Sequence, residues 1–293
     1  MVFFVKMTLN SSGPIRLAGT TLGESVELEL GGNGTTTISL NDATVRGLLG
    51  IASGTISLGG AAGQARYFEF SRTISSDTAD YNLYNDMANN GWNQLKEVKV
   101  TLTNNAWLYA SSASTYALNI SNIPVNSVIT VVNNYGIVGA GGYGGGGNGG
   151  SGHNSNTAYP GYAPGPGGNA MYIANSITMY NNNLISGGGG GGAGAIGSNS
   201  GGKVRYPIGG QGGGGGQGYV GGAAGPGGTN DAGRPGAAGS AGTVSAPGSP
   251  NGGGWGADGG ATSYTGGGTR GYYVIGIGNV TWAATGTRLG YSA

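Results

Sequence analysis

Side chains able to do chemistry are scarce in this sequence, so the few present define the question. There is one histidine, His153, and no cysteine. A Ser-His-Asp triad would have to be built on that single imidazole, and a thiolate metal site is excluded. Gly139 to Gly144 (GAGGYG) fits the G-x-G-x-x-G spacing of a dinucleotide loop, yet neither a helical pattern nor an acidic ribose partner follows. Gly197 to Lys203 (GSNSGGK) has phosphate-loop spacing. Val204 stands where Ser or Thr would hold magnesium, and Pro207 blocks the helix that should follow. G-x-S-x-G, H-E-x-x-H and calcium-loop patterns are absent. A carboxylate pair for glycoside cleavage in the glycine-rich half would have to be Asp231 and Asp258, which nothing in the sequence places together. The sequence therefore predicts no enzyme, no metal and no cofactor.

Binding chemistry is better represented. Ser151 to Pro166 (SGHNSNTAYPGYAPGP), Gly197 to Ile208, Thr229 to Asn251 and Trp255 to Tyr273 combine Tyr with Ser, Asn, Gly and Pro. That palette gives large amphipathic contacts at small rotamer cost, as in antibody loops. Arg, Trp and Tyr are the usual hot-spot types. The candidate contact residues are His153, Asn154, Tyr159, Tyr162, Lys203, Arg205, Tyr206, Asn230, Asp231, Arg234, Trp255, Asp258, Tyr264 and Arg270. Solvated connectors are the alternative reading of any one of these loops.

Elements that would position such loops follow from composition. Of 293 residues 70 are glycine, and the net charge is +1 from 12 basic and 11 acidic side chains. That balance leaves no footprint for nucleic acid or anionic lipid. No apolar run reaches the ~20 residues of a membrane helix, and Met1 to Met7 lacks a signal-peptide pattern, which predicts folding in a cytosol. Residues 1–135 hold 13 glycines and 16 of the 23 charged side chains; residues 136–271 hold 53 glycines. A division into 1–124 and 125–293 follows.

The first part reads as mainly β. Val26, Leu28 and Leu30 alternate with glutamates, and Val98, Val100 and Leu102 with Lys99 and Thr101. Phe3 to Leu9 and Tyr67 to Phe70 fit the same period. One short helix is predicted near Asp80 to Asn90, with Gly91 at its C-cap and Trp92 packing back. The second part is expected to be a sandwich of packed polyglycine II helices joined by loops, with almost no α-helix. Chains lacking Cβ approach closely, so outward-pointing backbone groups can pair between neighbours. Ile129 to Gly146 aligns on Ile177 to Gly194 at an offset of 48, each copy running from an apolar stretch through Asn-Asn into glycine. Such a repeat points to stacked units rather than a tether.

Asn-Asn turns leading into glycine runs resemble the T-even-type phage adhesins, the receptor-recognising proteins at the tip of the long tail fibre. Val280 to Gly290 (VTWAATGTRLG) resembles their closing segment. Asp80 to Trp92 (DYNLYNDMANNGW) resembles a module of phage fibre-associated proteins, with Asp80 where that module has Asn. The resemblance implies an N-terminal domain docked on a trimeric fibre-tip protein, for which Phe3, Phe4 and Trp92 are candidates. It implies a polyglycine II domain whose variable loops bind a porin-type outer-membrane protein of a Gram-negative host. It places the protein on the virion, after assembly in the host cytoplasm, without nucleic-acid binding or membrane insertion. Two other classes stay open: a structural glycine-rich surface protein without a receptor, and a fibre protein acting on polysaccharide.

Overall fold

The computed structural model describes residues 8–147, 163–194, 198–199, 207–208, 216–226, 252–261 and 266–293. Phe3, Phe4 and most of the predicted Phe3–Leu9 strand lie outside them. By contact density the chain forms two units. One comprises Met1–Arg72, Tyr84–Thr101 and Asn122–Thr130; the other comprises Thr73–Leu83, Leu102–Ser121 and Val131–Ala293.

In the first unit, residues 8–66 form no sheet among those described. Helices α1 (Val26–Glu29) and α2 (Ala43–Leu49) and a 3-10 turn at Leu58–Ala61 surround a core of Leu9, Val26, Val45, Leu48 and Ala61. The strand expected at Val26 to Leu30 is thus corrected to a helix. Ser25 caps it, its hydroxyl accepting the Leu28 N–H at 3.2 Å. The alternating glutamates do not face water. The Glu27 carboxylate accepts the N–H groups of Asn33 and Gly34, and Glu29 accepts that of Arg66. A five-residue alternation therefore marked buried acceptors, not a sheet face. Helix α3 (Leu83–Asn89) is the predicted helix, three residues shorter at its start, and Gly91 follows with φ +93°. Trp92 is 3% exposed, meets Tyr84 edge-on at 5.2 Å and donates Nε1–H to the Lys96 carbonyl.

The strands follow a five-turn order. Turn one contributes β1 (Tyr67–Ile74), β2 (Thr78–Ala79) and β3 (Tyr81–Asn82); turn two contributes β4 (Glu97–Asn104), β5 (Trp107–Tyr109) and β6 (Tyr116–Ile120). Turn three gives β7 (Val128–Asn133), β8 (Gly136–Val138) and β9 (Asn169–Ile173). Turn four gives β10 (Ile177–Asn181) and β11 (Leu184–Ser186). A separate antiparallel pair, β12 (Ser198–Asn199) and β13 (Pro207–Ile208), precedes its third strand, β14 (Tyr272–Val274). Turn five gives β15 (Val280–Ala284), β16 (Thr287–Leu289) and β17 (Tyr291–Ser292).

Each turn lays one strand on each of three ladders. The first runs β1-β4-β7-β10-β15, the second β2-β5-β8-β11-β16, the third β3-β6-β9. The third continues through a parallel bridge from Tyr172 to Ile275 and the parallel pair β14–β17. Inside, aligned positions are apolar: Leu108 pairs with Ile137, and Ile137 with Ile185, all with no exposed surface. Leu118 and Ile120 meet Met171 and Ile173 in the same way. Turn five ends the stack, where the Arg288 guanidinium lies 4.6 Å over the Trp282 ring.

The sandwich of polyglycine II helices expected for residues 125–293 is not the architecture found. Apart from the antiparallel pair β12–β13 and a 3-10 turn at Ile277–Asn279, its regular elements among the described residues are β-strands in parallel sheets that continue those of the earlier turns. The glycine average of the whole half concealed three apolar stretches, near 128–138, 169–186 and 272–292, rich enough in β-branched and long apolar side chains to form ladder strands. The mainly β, helix-poor character does hold. Between strands the described glycines lie outside regular elements, and many of them bond to whichever backbone lies alongside. Gly188 donates to Gly168, Gly189 to Gln217, Gly190 to Ala257 and Gly191 to Gly165, at 2.8–3.0 Å. A Cβ on Gly190 would sit 1.8 Å from the Gly268 carbonyl oxygen, so no side chain fits there.

One corner of the turns carries a buried row of amides. Asn104 donates to the Asn133 side-chain oxygen and Asn133 to that of Asn181, both at 2.8 Å. Asn181 donates to the Thr285 carbonyl at 2.9 Å. Each spends its second N–H on the next turn, at Gly136, Leu184 and Thr287 carbonyls. All three are at most 1% exposed. A second row, Asn105, Asn134 and Asn182, is joined likewise but exposed. Asn133→Ala should lower unfolding free energy by about 1–3 kcal/mol, because it leaves buried amide groups unpaired. Asn134→Ala, one residue on, should cost under ~0.5 kcal/mol. Denaturant midpoints of the two variants check this; equal shifts would show that the buried row does not fasten the turns.

Candidate functional site

The strand corners between the second and third ladders are the least uniform feature of the turns. In turn one Asp80 alone joins β2 to β3, and in turn five Gly290 alone joins β16 to β17. Turn two uses residues 110–115 there. Turn three places residues 139–168 at that corner, and turn four residues 187–271. All glycine runs of the second half fall in these two inserts.

Asp80 shows what a minimal corner requires. It has φ +49°, a left-handed conformation that Asp and Asn tolerate better than most residues. Its carboxylate accepts the Ser111 N–H at 2.8 Å and the Ser111 hydroxyl at 2.5 Å. Burial opposes ionisation of this carboxyl, but hydrogen bonds from Ser111 and Thr115 outweigh that and hold its pKa below the ordinary value of 3.8.

The second ladder presents an aromatic outer face, and the inserts supply part of it. Trp107 of β5 lies against Gly136 of β8; a Cβ there would be 2.2 Å from the indole Cζ3. Trp255, from the second insert, is parallel to Trp107 within 4°, centroids 5.9 Å apart. Tyr135 meets Trp107 edge-on at 5.1 Å, and Tyr219, from the second insert, stacks on Tyr109 at 4.0 Å. Asp77 joins the group, accepting the Trp107 backbone N–H at 3.0 Å and the Tyr219 hydroxyl at 2.8 Å. Donation to that carboxylate raises the Tyr219 pKa above 10. Gln217 braces the insert, its side-chain oxygen accepting the Trp255 N–H.

Arg270 and Asp258 form the second described cluster. The Asp258 carboxylate accepts the Arg270 N–H at 2.8 Å, and the guanidinium Nε lies 3.3 Å from the same oxygen, close enough to pair but not aligned as a hydrogen bond. The guanidinium sits 4.4 Å over the Tyr291 ring and donates to the Gly256 carbonyl. Of the residues nominated from sequence, Trp255, Asp258 and Arg270 are thus described, and the last two are brought together. His153, Asn154, Tyr159, Tyr162, Lys203, Arg205, Tyr206, Asn230, Asp231, Arg234 and Tyr264 lie outside the described residues. Gly139 to Gly144 is neither helix nor strand, while Gly197 to Lys203 lies mostly outside the described residues. Sequence reasoning missed Tyr109, Tyr135 and Tyr219. The signal for Tyr135 was its place directly after a repeated Asn-Asn pair. Trp92, nominated for docking, is interior to its own unit.

Elsewhere in the first unit a cavity of about 180 Å³ is lined by Leu30, Leu48, Leu95 and Pro124. Leu95 is 40% and Val125, at its rim, 90% exposed. The Arg66–Glu97 ion pair, at 2.6 Å, forms part of its wall. Among the described residues no group of three or more His, Asp or Glu could hold a metal ion.

The family described as "Phage tail fibre adhesin Gp38" matches residues 69–293. A solved structure described as the gp37–gp38 adhesin tip complex of the bacteriophage S16 long tail fiber is similar in fold, with a TM-score of 0.51. It is 22% identical over 95% of this chain and 100% of that one. No curated protein matches the chain.

Two outcomes follow from the geometry. Because the folded-state pKa of Asp80 is depressed, its contribution to stability is complete above its ordinary value. It is lost as pH falls below about 4 through the folded value. Asp80→Asn should keep the fold at neutral pH and flatten the acid limb of a stability–pH profile; an unchanged limb would remove Asp80 from that role. Gly136→Ala must displace the Trp107 ring, at a cost of about 1–3 kcal/mol, and shift tryptophan fluorescence. A wild-type spectrum and midpoint would refute the contact.

Proposed function

From the premise that the chain belongs to the phage tail fibre adhesin family, we propose that it is the non-enzymatic receptor-reading tip of a long tail fibre. In this reading residues 1–124 attach to a trimeric fibre-tip protein. Residues 125–293 bind an outer-membrane β-barrel protein of a Gram-negative host. The protein is assembled in the host cytoplasm and carried on the virion.

One observation carries the reading. All fourteen residues nominated for receptor contact fall within the two segments inserted at one corner, 139–168 and 187–271. The strands on either side of each insert are held by pairing with other turns, not by the insert's own sequence. Recognition segments can then differ in length and chemistry while the ladders stay in register. For attachment, the exposed Val125 and Leu95 beside the apolar cavity of the first unit suit a partner's side chains better than the buried Trp92 does.

The test is excision. Replacing residues 148–162 by the turn-two corner, Ala110 to Thr115, should leave thermal unfolding nearly unchanged. Adsorption to host cells should fall about tenfold or more, as expected when hot-spot side chains are removed. A panel of hosts lacking single outer-membrane proteins should contain one that the intact protein no longer binds. Undiminished adsorption by the excised form, with no receptor-dependent host in the panel, would overturn the reading.

A further inference from the structure

The outer face of the second ladder has a composition that receptor-reading loops do not require. It joins flat aromatic rings to a row of exposed amides, with a negative charge among them. We propose that this face binds a neutral saccharide chain of the bacterial surface, at a site that shares only Trp255 with the residues nominated for receptor contact.

The rings come first. Trp107 and Trp255 are parallel within 4°, and both keep part of their surface in water. Tyr135 stands edge-on beside them and is 43% exposed. Indole and phenol rings offer the apolar faces of pyranose rings a surface they can lie on, while their polar tips stay wet. Loops holding the rings do not have to close: Gly136 seats Trp107, and the Gln217 side chain fixes the Trp255 backbone.

The amides come next. Asn105, Asn134 and Asn182 stand at the entry to β5, β8 and β11, one per turn, at the rung spacing of about 4.8 Å. Asn134 donates to Asn105 at 2.9 Å and Asn182 to Asn134 at 2.8 Å. A carboxamide has two N–H donors and two acceptor lone pairs. The row uses one donor and one acceptor at each internal link, so each rung keeps one of each for an outside partner. Paired donor and acceptor at regular spacing is what successive sugar hydroxyls, themselves both donor and acceptor, can use. Asp77 brings a negative charge to this face, its carboxylate accepting the Trp107 backbone N–H and the Tyr219 hydroxyl. Its negative charge selects against uronic and sialic acids, and so for neutral hexoses.

This proposal does not rest on the protein-receptor reading, and its test leaves that reading untouched. The full chain is mixed with maltohexaose, with delipidated core oligosaccharide from rough lipopolysaccharide, and with oligogalacturonate, and followed by saturation-transfer NMR. Transfer to one of the first two and not to the anionic sugar is expected. Tyr135→Ala and Asn182→Ala change exposed side chains and should keep the wild-type unfolding temperature while weakening binding about tenfold each. Adsorption to the host through the inserts should persist in both variants. No transfer to either neutral sugar, stronger transfer to the anionic one, or binding unaffected by both variants would each overturn the proposal.

Discussion

Parallel pairing between successive turns is the interaction on which the remainder depends. No turn is complete alone, since β2, β5 and β8 are only two or three residues long and each finds its partner in the next turn. The buried amides of Asn104, Asn133 and Asn181 make this pairing specific. Every one of their N–H groups ends on the following turn. A slip of one residue would strand those amides in a dry interior at roughly 1–3 kcal/mol apiece and turn Leu108, Ile137 and Ile185 outward. Register is therefore fixed by polar groups as well as by apolar ones.

The same pairing explains why two long inserts are tolerated. A strand held by neighbours of other turns does not need a short link to the strand before it. Loop closure grows only as the logarithm of length, about 0.6 kcal/mol per doubling. Lengthening a corner from the six residues of turn two to the 85 of turn four then costs on the order of 2 kcal/mol before any contact is counted. Glycine hydrogen bonds offset part of this, Gly142 to Gly189 between the two inserts and Gly268 to Gly191 within the second. So do Tyr219 against Tyr109 and Trp255 against Trp107.

Much of this was legible, and the misses have physical causes. Val98 to Leu102 and Tyr67 to Phe70 alternate because one side of each faces a packed interior, and both are strands. Val26 to Leu30 alternates too, but Ser25 offers a cap and the glutamates take backbone amides, so local hydrogen bonding overrode the period. The offset of 48 between the two Asn-Asn segments was visible as a repeat. Asn104 escaped it because parallel partners lie 29, 48 and 104 residues apart, and irregular separations leave no single offset to find. Glycine runs were read as the framework because they dominate composition; the strands between them are short, and pairing gives them their form. Trp255 was nominated from its loop, whereas its stacking on Trp107, 148 residues earlier, belongs to tertiary structure alone.

The ladders are ordered in space as they are in the chain, so the ribosome delivers each strand to a template already present. That holds until turn four. Between Ser186 and Tyr272 the nascent chain must wait for 85 residues, about 4–17 s at ordinary elongation rates. Throughout that interval β9 has a neighbour on one side only, and the row of amides and carbonyls along its other edge stays open to any passing extended chain. Synthesis of this protein thus contains a built-in period of vulnerability, and its yield in a crowded cell will depend on what shields Asn169 to Ile173 until β14 and Ile275 arrive.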